Sequence, residues 1–99
     1  MPAASSPRES ASPSPSTVRS TGWNTVVWND PINLQSYVVH VFRTHFGFDR
    51  PRAVKHMKQV HHEGRSILST DDRETAEGHV MAMHSYGLQA TMEPAEGSE

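Results

Sequence analysis

The chain has 99 residues, no cysteine, and a formal net charge of −2 with its seven histidines neutral. Without cysteine there is no disulfide scaffold, zinc ribbon or thiol nucleophile. The length allows one small domain. No apolar run nears the roughly 20 residues of a membrane helix, and the mild acidity lacks the basic patch of a nucleic-acid binder.

The first 21 residues, MPAASSPRESASPSPSTVRST, hold seven serines and four prolines. Such a stretch has too little to bury to offset its ordering entropy, so residues 1–21 read as a disordered arm. It lacks the apolar run of a secretory signal. The domain is expected over residues 22–94, with residues 95–99 as an acidic tail. A core of this size must be tightly packed.

Trp23 to Trp28 reads as a strand, with Val26 and Trp28 on one face and Thr25 and Val27 on the other. Asn29-Asp30-Pro31 ends it, and Pro31 holds Asp30 extended. Asn33 is placed to cap a first helix, whose apolar stripe is Leu34, Tyr37, Val38, Val41, Phe42 and His45 or Phe46. Gly47 closes it. Asp49 caps a second helix, with Pro51 in its first turn. Ala53, Val54, Met57 and Val60 face inward, and Gly64 ends the helix after His61 and His62. Arg65 to Ser69 is a short strand. Asp71 or Asp72 caps a third helix with Ala76, Val80 and Met83 inside, ended by Tyr86-Gly87. Leu88, Ala90 and Met92 share one face of a last strand. The order β-α-α-β-α-β predicts an α+β domain, a three-stranded antiparallel sheet packed against three helices.

The chemistry centres on the first turn. Asn29 offers an amide oxygen and Asp30 a carboxylate, which suit an ammonium group with three donors and no acceptor. The same side chains serve equally well to cap local backbone. His61 follows Met57 and Val60 at the inner edge of its helix, where its imidazole can reach a polar pocket. The other histidines pair poorly. His56 and His61, His79 and His84, and His40 and His45 are each five positions apart, and no HExxH motif occurs, so no metal site is expected. Ser36, His40 and Asp30 lack a nucleophile elbow around the serine, so no enzyme activity is expected. Ile32, Met57, Val60 and Leu88 serve as core or as an adaptable ligand pocket.

The segments VVWNDPINLQSYVVHVF, AVKHMKQVHHEG and RSILSTDDRETAE resemble the bacterial ClpS family, and the Asp-Pro-x-Asn-Leu wording resembles its actinobacterial branch. ClpS proteins are non-enzymatic adaptors that bring N-degron substrates to a ClpA- or ClpC-type AAA+ unfoldase. The absence of cysteine fits a reducing cytoplasm, the small mixed surface suggests a monomer, and no cofactor is expected. The resemblance implies that Asn29, Asp30 and His61 hold the substrate's free α-amino group. It implies that Ile32, Asn33, Met57, Val60 and Leu88 wall a pocket for a first residue such as Leu, Phe, Tyr or Trp. Gln35 stands where many relatives have a methionine that excludes β-branched residues, and Pro31 where many have a second acid. Glu74 and His79 match positions that face the unfoldase. The competing expectation is a protein-docking domain similar to the C-terminal domain of the bacterial ribosomal stalk protein, with no N-degron recognition.

Overall fold

The structure, a computed structural model, describes residues 22–95. The predicted arm and the last four residues of the tail lie outside the described residues. Six elements follow one another: β1 (Trp23–Trp28), α1 (Gln35–Phe46), α2 (Arg50–Glu63), β2 (Arg65–Asp71), α3 (Arg73–Ser85) and β3 (Gln89–Pro94). The three strands form one antiparallel sheet in the order β2-β1-β3. The expected element order and α+β architecture are therefore those found. Just beyond the paired ends of β1 and β3, the N–H of Ala95 donates to the carbonyl of Gly22 over 2.9 Å.

The helices begin and end on local chemistry. The carboxylate of Asp49 accepts from the N–H of Arg52, and that of Asp72 from the N–H of Thr75, each satisfying a free donor of a helix's first turn. At α1 the expectation fails. Its N-cap is Leu34, with no side-chain bond to the first turn. The Asn33 amide is engaged elsewhere, donating to Asp30 and to the carbonyl of Gly87. The buried stripe of α1 is displaced accordingly. Leu34 is 73 % exposed and Tyr37 sits at the surface, while Val39, Val41 and Phe42 are buried.

β1 runs down the middle of the sheet, and residues 24–27 are all buried. Val27 joins Phe42, Val41, Met83, Leu68 and Leu88 in the core between sheet and helices. Val26 points to the other face. There Arg65 on β2 and Glu93 on β3, opposite Trp28 and Asn24 respectively, form a two-pronged ion pair at 2.7 and 3.2 Å. That pair spans from one outer strand to the other across β1, over Val26, which is 0 % exposed. A break in the β1–β2 register between Thr25 and Val26 gives β2 one extra residue, Leu68, which turns into the core.

α2 packs on β2 and against α1, and α3 packs on β1 and β3. This leaves the C-terminal end of β1, the start of α1 and the last turns of α2 converging at one end of the domain.

Candidate functional site

A hollow of about 340 Å³ opens where those three elements meet, at the small end of the range for ligand pockets. Asn29, Asp30, Asn33, Gln35, Met57, Val60, His61 and Leu88 all line it. The turn after β1 supplies Asn29 and Asp30. The last two turns of α2 supply Met57, Val60 and His61. Leu88 comes from the chain entering β3.

Two backbone features hold the parts together. The N–H of Asn29 donates to the carbonyl of Gly64 over 2.9 Å, tying the turn to the end of the helix that carries His61. Gly64 has φ +91°, a left-handed conformation that side chains with a Cβ adopt only with strain. On the other side, the Asn33 amide donates to the carbonyl of Gly87 over 2.9 Å, and the Tyr37 hydroxyl to that of Tyr86 over 2.7 Å. These bonds fasten the start of α1 to the turn leading into Leu88.

Asp30 is partly satisfied. Its Oδ1 accepts from the N–H of Ile32 at 2.8 Å and its Oδ2 from the Asn33 amide at 3.2 Å. An ionised carboxylate has about four lone-pair sites, so each oxygen keeps capacity toward the hollow. The capping and ligand-holding roles that the sequence left as alternatives are compatible. His61 lies at the exposed end of α2, its ring 5.0 Å from that of His62. Met57, Val60, Leu88, Val27 and Val38 give the hollow an apolar lining.

Ile32 departs from expectation. It is 85 % exposed and does not line the hollow. The Asp30 carboxylate grips its N–H and makes a tight turn there, which leaves the side chain at the surface. Val38 fills the role instead, with Val27, Trp28, Pro31 and Leu34 as further lining residues not foreseen as pocket walls. Val38 was detectable, since it lies three positions after Gln35 and so shares its helix face.

Glu74 and His79 are remote from the hollow, on α3. Glu74 is exposed in the first turn. His79 is half-buried, its Nδ1 2.8 Å from Nε2 of His45 and its Nε2 3.5 Å from Asp71. Among the described residues no group of three or more His, Asp or Glu converges as a metal site. No helix among them is long and apolar enough to cross a membrane.

The sequence and the fold are those of a family of protease adaptors. The family model for "ATP-dependent Clp protease adaptor protein ClpS" matches residues 19–91. The ClpS adapter of Streptomyces avermitilis is 52 % identical over 71 residues, covering 72 % of this chain and 68 % of the relative. That of Mycobacterium tuberculosis is 48 % identical over 86 residues, covering 87 % and 82 %. Among solved structures, Agrobacterium tumefaciens ClpS2 bound to L-phenylalaninamide superposes with a TM-score of 0.71 at 20 % identity, over 76 % of this chain and 98 % of the other, a likeness of fold. The chain belongs to the ClpS family of Clp protease adaptors.

Proposed function

We propose that the hollow receives the first residue of an N-degron, the free α-amine against Asn29, Asp30 and His61 and a large apolar side chain against Val38, Met57, Val60 and Leu88. The protein acts as a non-enzymatic, cytoplasmic adaptor that hands the bound substrate to a ClpA- or ClpC-type AAA+ unfoldase, with Glu74 and His79 of α3 at the contact surface. The observation that carries this reading is the meeting of an amide, a carboxylate and an imidazole with apolar walls in one hollow.

The physics favours a chain end over a mid-chain peptide. An ammonium taken from water needs three acceptors. Asn29 Oδ1, an Asp30 oxygen and an unprotonated His61 nitrogen are three. Charge-assisted bonds of this kind contribute about 1.5–3 kcal/mol each. A buried Leu or Phe side chain adds about 1.5–3 kcal/mol. L-phenylalaninamide, held by the Agrobacterium relative, belongs to the same chemical class, a free amine on an aromatic residue. Asn33 and Gln35 at the rim border the side chain, and Gln35 bears on whether Ile and Val are excluded.

The test is fluorescence-polarisation binding of two Leu-initiated peptides, one with a free amine and one N-acetylated. Losing two charge-assisted bonds predicts an affinity loss of at least about a hundredfold on acetylation. Equal affinity for the two peptides, or none for either, would remove the amine-receptor reading and favour a protein-docking domain.

A further inference from the structure

The far end of α1 holds an arrangement that substrate binding does not use. His45, in the last turn of α1, faces His79, in the middle of α3. Nε2 of His45 lies 2.8 Å from Nδ1 of His79, with the rings at 89° and their centroids 5.0 Å apart. The other nitrogen of His79 lies 3.5 Å from Oδ2 of Asp71, at the end of β2. That same oxygen accepts a bond from the Ser69 hydroxyl. Phe46 packs against both imidazoles, 4.7 Å from His45 and 4.9 Å from His79 between centroids. One pair of side chains thus links α1, α3 and β2.

A bond between two imidazoles depends on the number of protons present. One nitrogen must carry hydrogen and the other must be bare. Two neutral rings meet the condition, and so does one imidazolium facing one neutral ring. Two imidazoliums do not, because each then points an N–H at the other. Their charges also repel, and Asp71 from β2 is the one acidic side chain in ion-pair reach of the pair among the described residues. On α3, Arg73 and Glu77 pair with each other at 3.4 Å and are mostly exposed. On α1, His40 turns to Thr44 instead.

We propose that His45 and His79 form a proton-counting clasp, which holds the end of α1 to α3 at neutral pH and opens when both rings become charged. Burial and the charge of His79 hold the pKa of His45 below the ordinary histidine value, so the opening proton arrives in mildly acidic solution. The clasp lies seven residues from Val38, the last residue of α1 to line the hollow, or about 10 Å along the helix. The clasp is thus a place where acid acts on the α1–α3 junction, apart from the hollow.

The experiment is an NMR titration of the histidine rings in the 15N-labelled full chain, with amide hydrogen exchange measured at pH 7.5 and 5. The His45 midpoint is expected below the ordinary histidine value. The Gly47 amide, which donates to the Arg43 carbonyl at the end of α1, is expected to lose about two- to tenfold protection at pH 5 after correction for intrinsic exchange, the factor for one lost hydrogen bond. His45→Gln keeps a polar partner for His79 but cannot gain a proton, so it should abolish that loss and leave peptide affinity at pH 7.5 unchanged. A His45 midpoint at the ordinary histidine value, or the same acid loss in His45→Gln, overturns the clasp. The wild-type titration decides the matter alone if the variant does not fold.

Discussion

The N–H of Asn29 donates to the carbonyl of Gly64, so the turn that carries two of the proposed amine acceptors is seated on the end of the helix that carries the third. Gly64 holds φ +91° to make that carbonyl available. No heavy atom lies within 4 Å of where its Cβ would sit, so the obstacle to a side chain there is backbone strain alone. Gly64→Ala should cost about 1–2 kcal/mol of stability. It should also weaken free-amine peptides by more than it weakens the fold, because Asn29 and His61 lose their common support. Urea melts and polarisation binding on the same preparation check this. Full affinity in a destabilised variant would show that the two parts of the site do not depend on this bond.

Asp30→Asn separates charge from shape. The amide keeps an acceptor for the Ile32 N–H, so the turn should lose no more than about one hydrogen bond's worth of stability. The ammonium loses its ionic partner, and affinity for a Leu-initiated peptide should fall at least about tenfold. The imidazole of His61 must keep a bare nitrogen to accept from the amine, so His61→Lys, which carries donors only, should also weaken the same peptide. Unchanged affinity in that variant would remove His61 from the acceptor set. A loss of affinity no larger than the loss of stability would make Asp30 a turn residue only.

Thr25 presents the opposite case, a polar group without a partner. It is 0 % exposed, and its hydroxyl is the one buried side-chain polar atom among the described residues with no hydrogen bond. Thr25→Val removes that hydroxyl at nearly the same volume. The melting temperature should rise, by the equivalent of about 1 kcal/mol. A fall would mean that the hydroxyl has a partner, such as a bound water.

Acid should destabilise the fold in two stages. Burial lowers the pKa of His45, with help from His79, and that of His56, with help from Arg52 and Lys55. In both cases the unfolded chain binds more protons than the folded one below the ordinary histidine value. Stability therefore rises with pH through that window and is complete above about pH 6.5. The Arg65 hydrogen bond lowers the pKa of Glu93, and that contribution is present above the unfolded carboxyl value and lost below about pH 4.5. Urea midpoints should be level from pH 8 to 7, decline from about 6.5, and decline again under about 4.5. A midpoint that rises from pH 7 to 5.5 would contradict the first stage.

What was legible in the sequence follows the range of the forces involved. Asp49, Asp72, Gly47 and Gly64 act on backbone a few positions away, and their roles could be read directly. Apolar spacing places Met57, Val60 and Leu88 on the inner faces of their elements but leaves core and pocket open between them; only the family resemblance makes them pocket walls. Ile32, Leu34 and Tyr37 were read as apolar and therefore as inward. The structure exposes Ile32 at the turn held by Asp30, and Leu34 and Tyr37 because Asn33 does not cap α1 but reaches Gly87, 54 positions on. That bond, the Tyr37–Tyr86 bond over 49 positions and the His45–His79 bond over 34 depend on how α1 and α3 are set against each other. No local pattern specifies that setting.

Trp28 lines the hollow and anchors its indole N–H on the Thr91 hydroxyl at 2.8 Å, with the Arg65 guanidinium over its ring. The other tryptophan, Trp23, begins the same strand, roughly 17 Å away at the strand's rise per residue. The domain thus carries an intrinsic optical reporter at the proposed binding site and a reference fluorophore outside it. Occupancy of the hollow becomes readable from the emission of the unlabelled protein, and Trp23→Phe would leave Trp28 as the sole source of the signal.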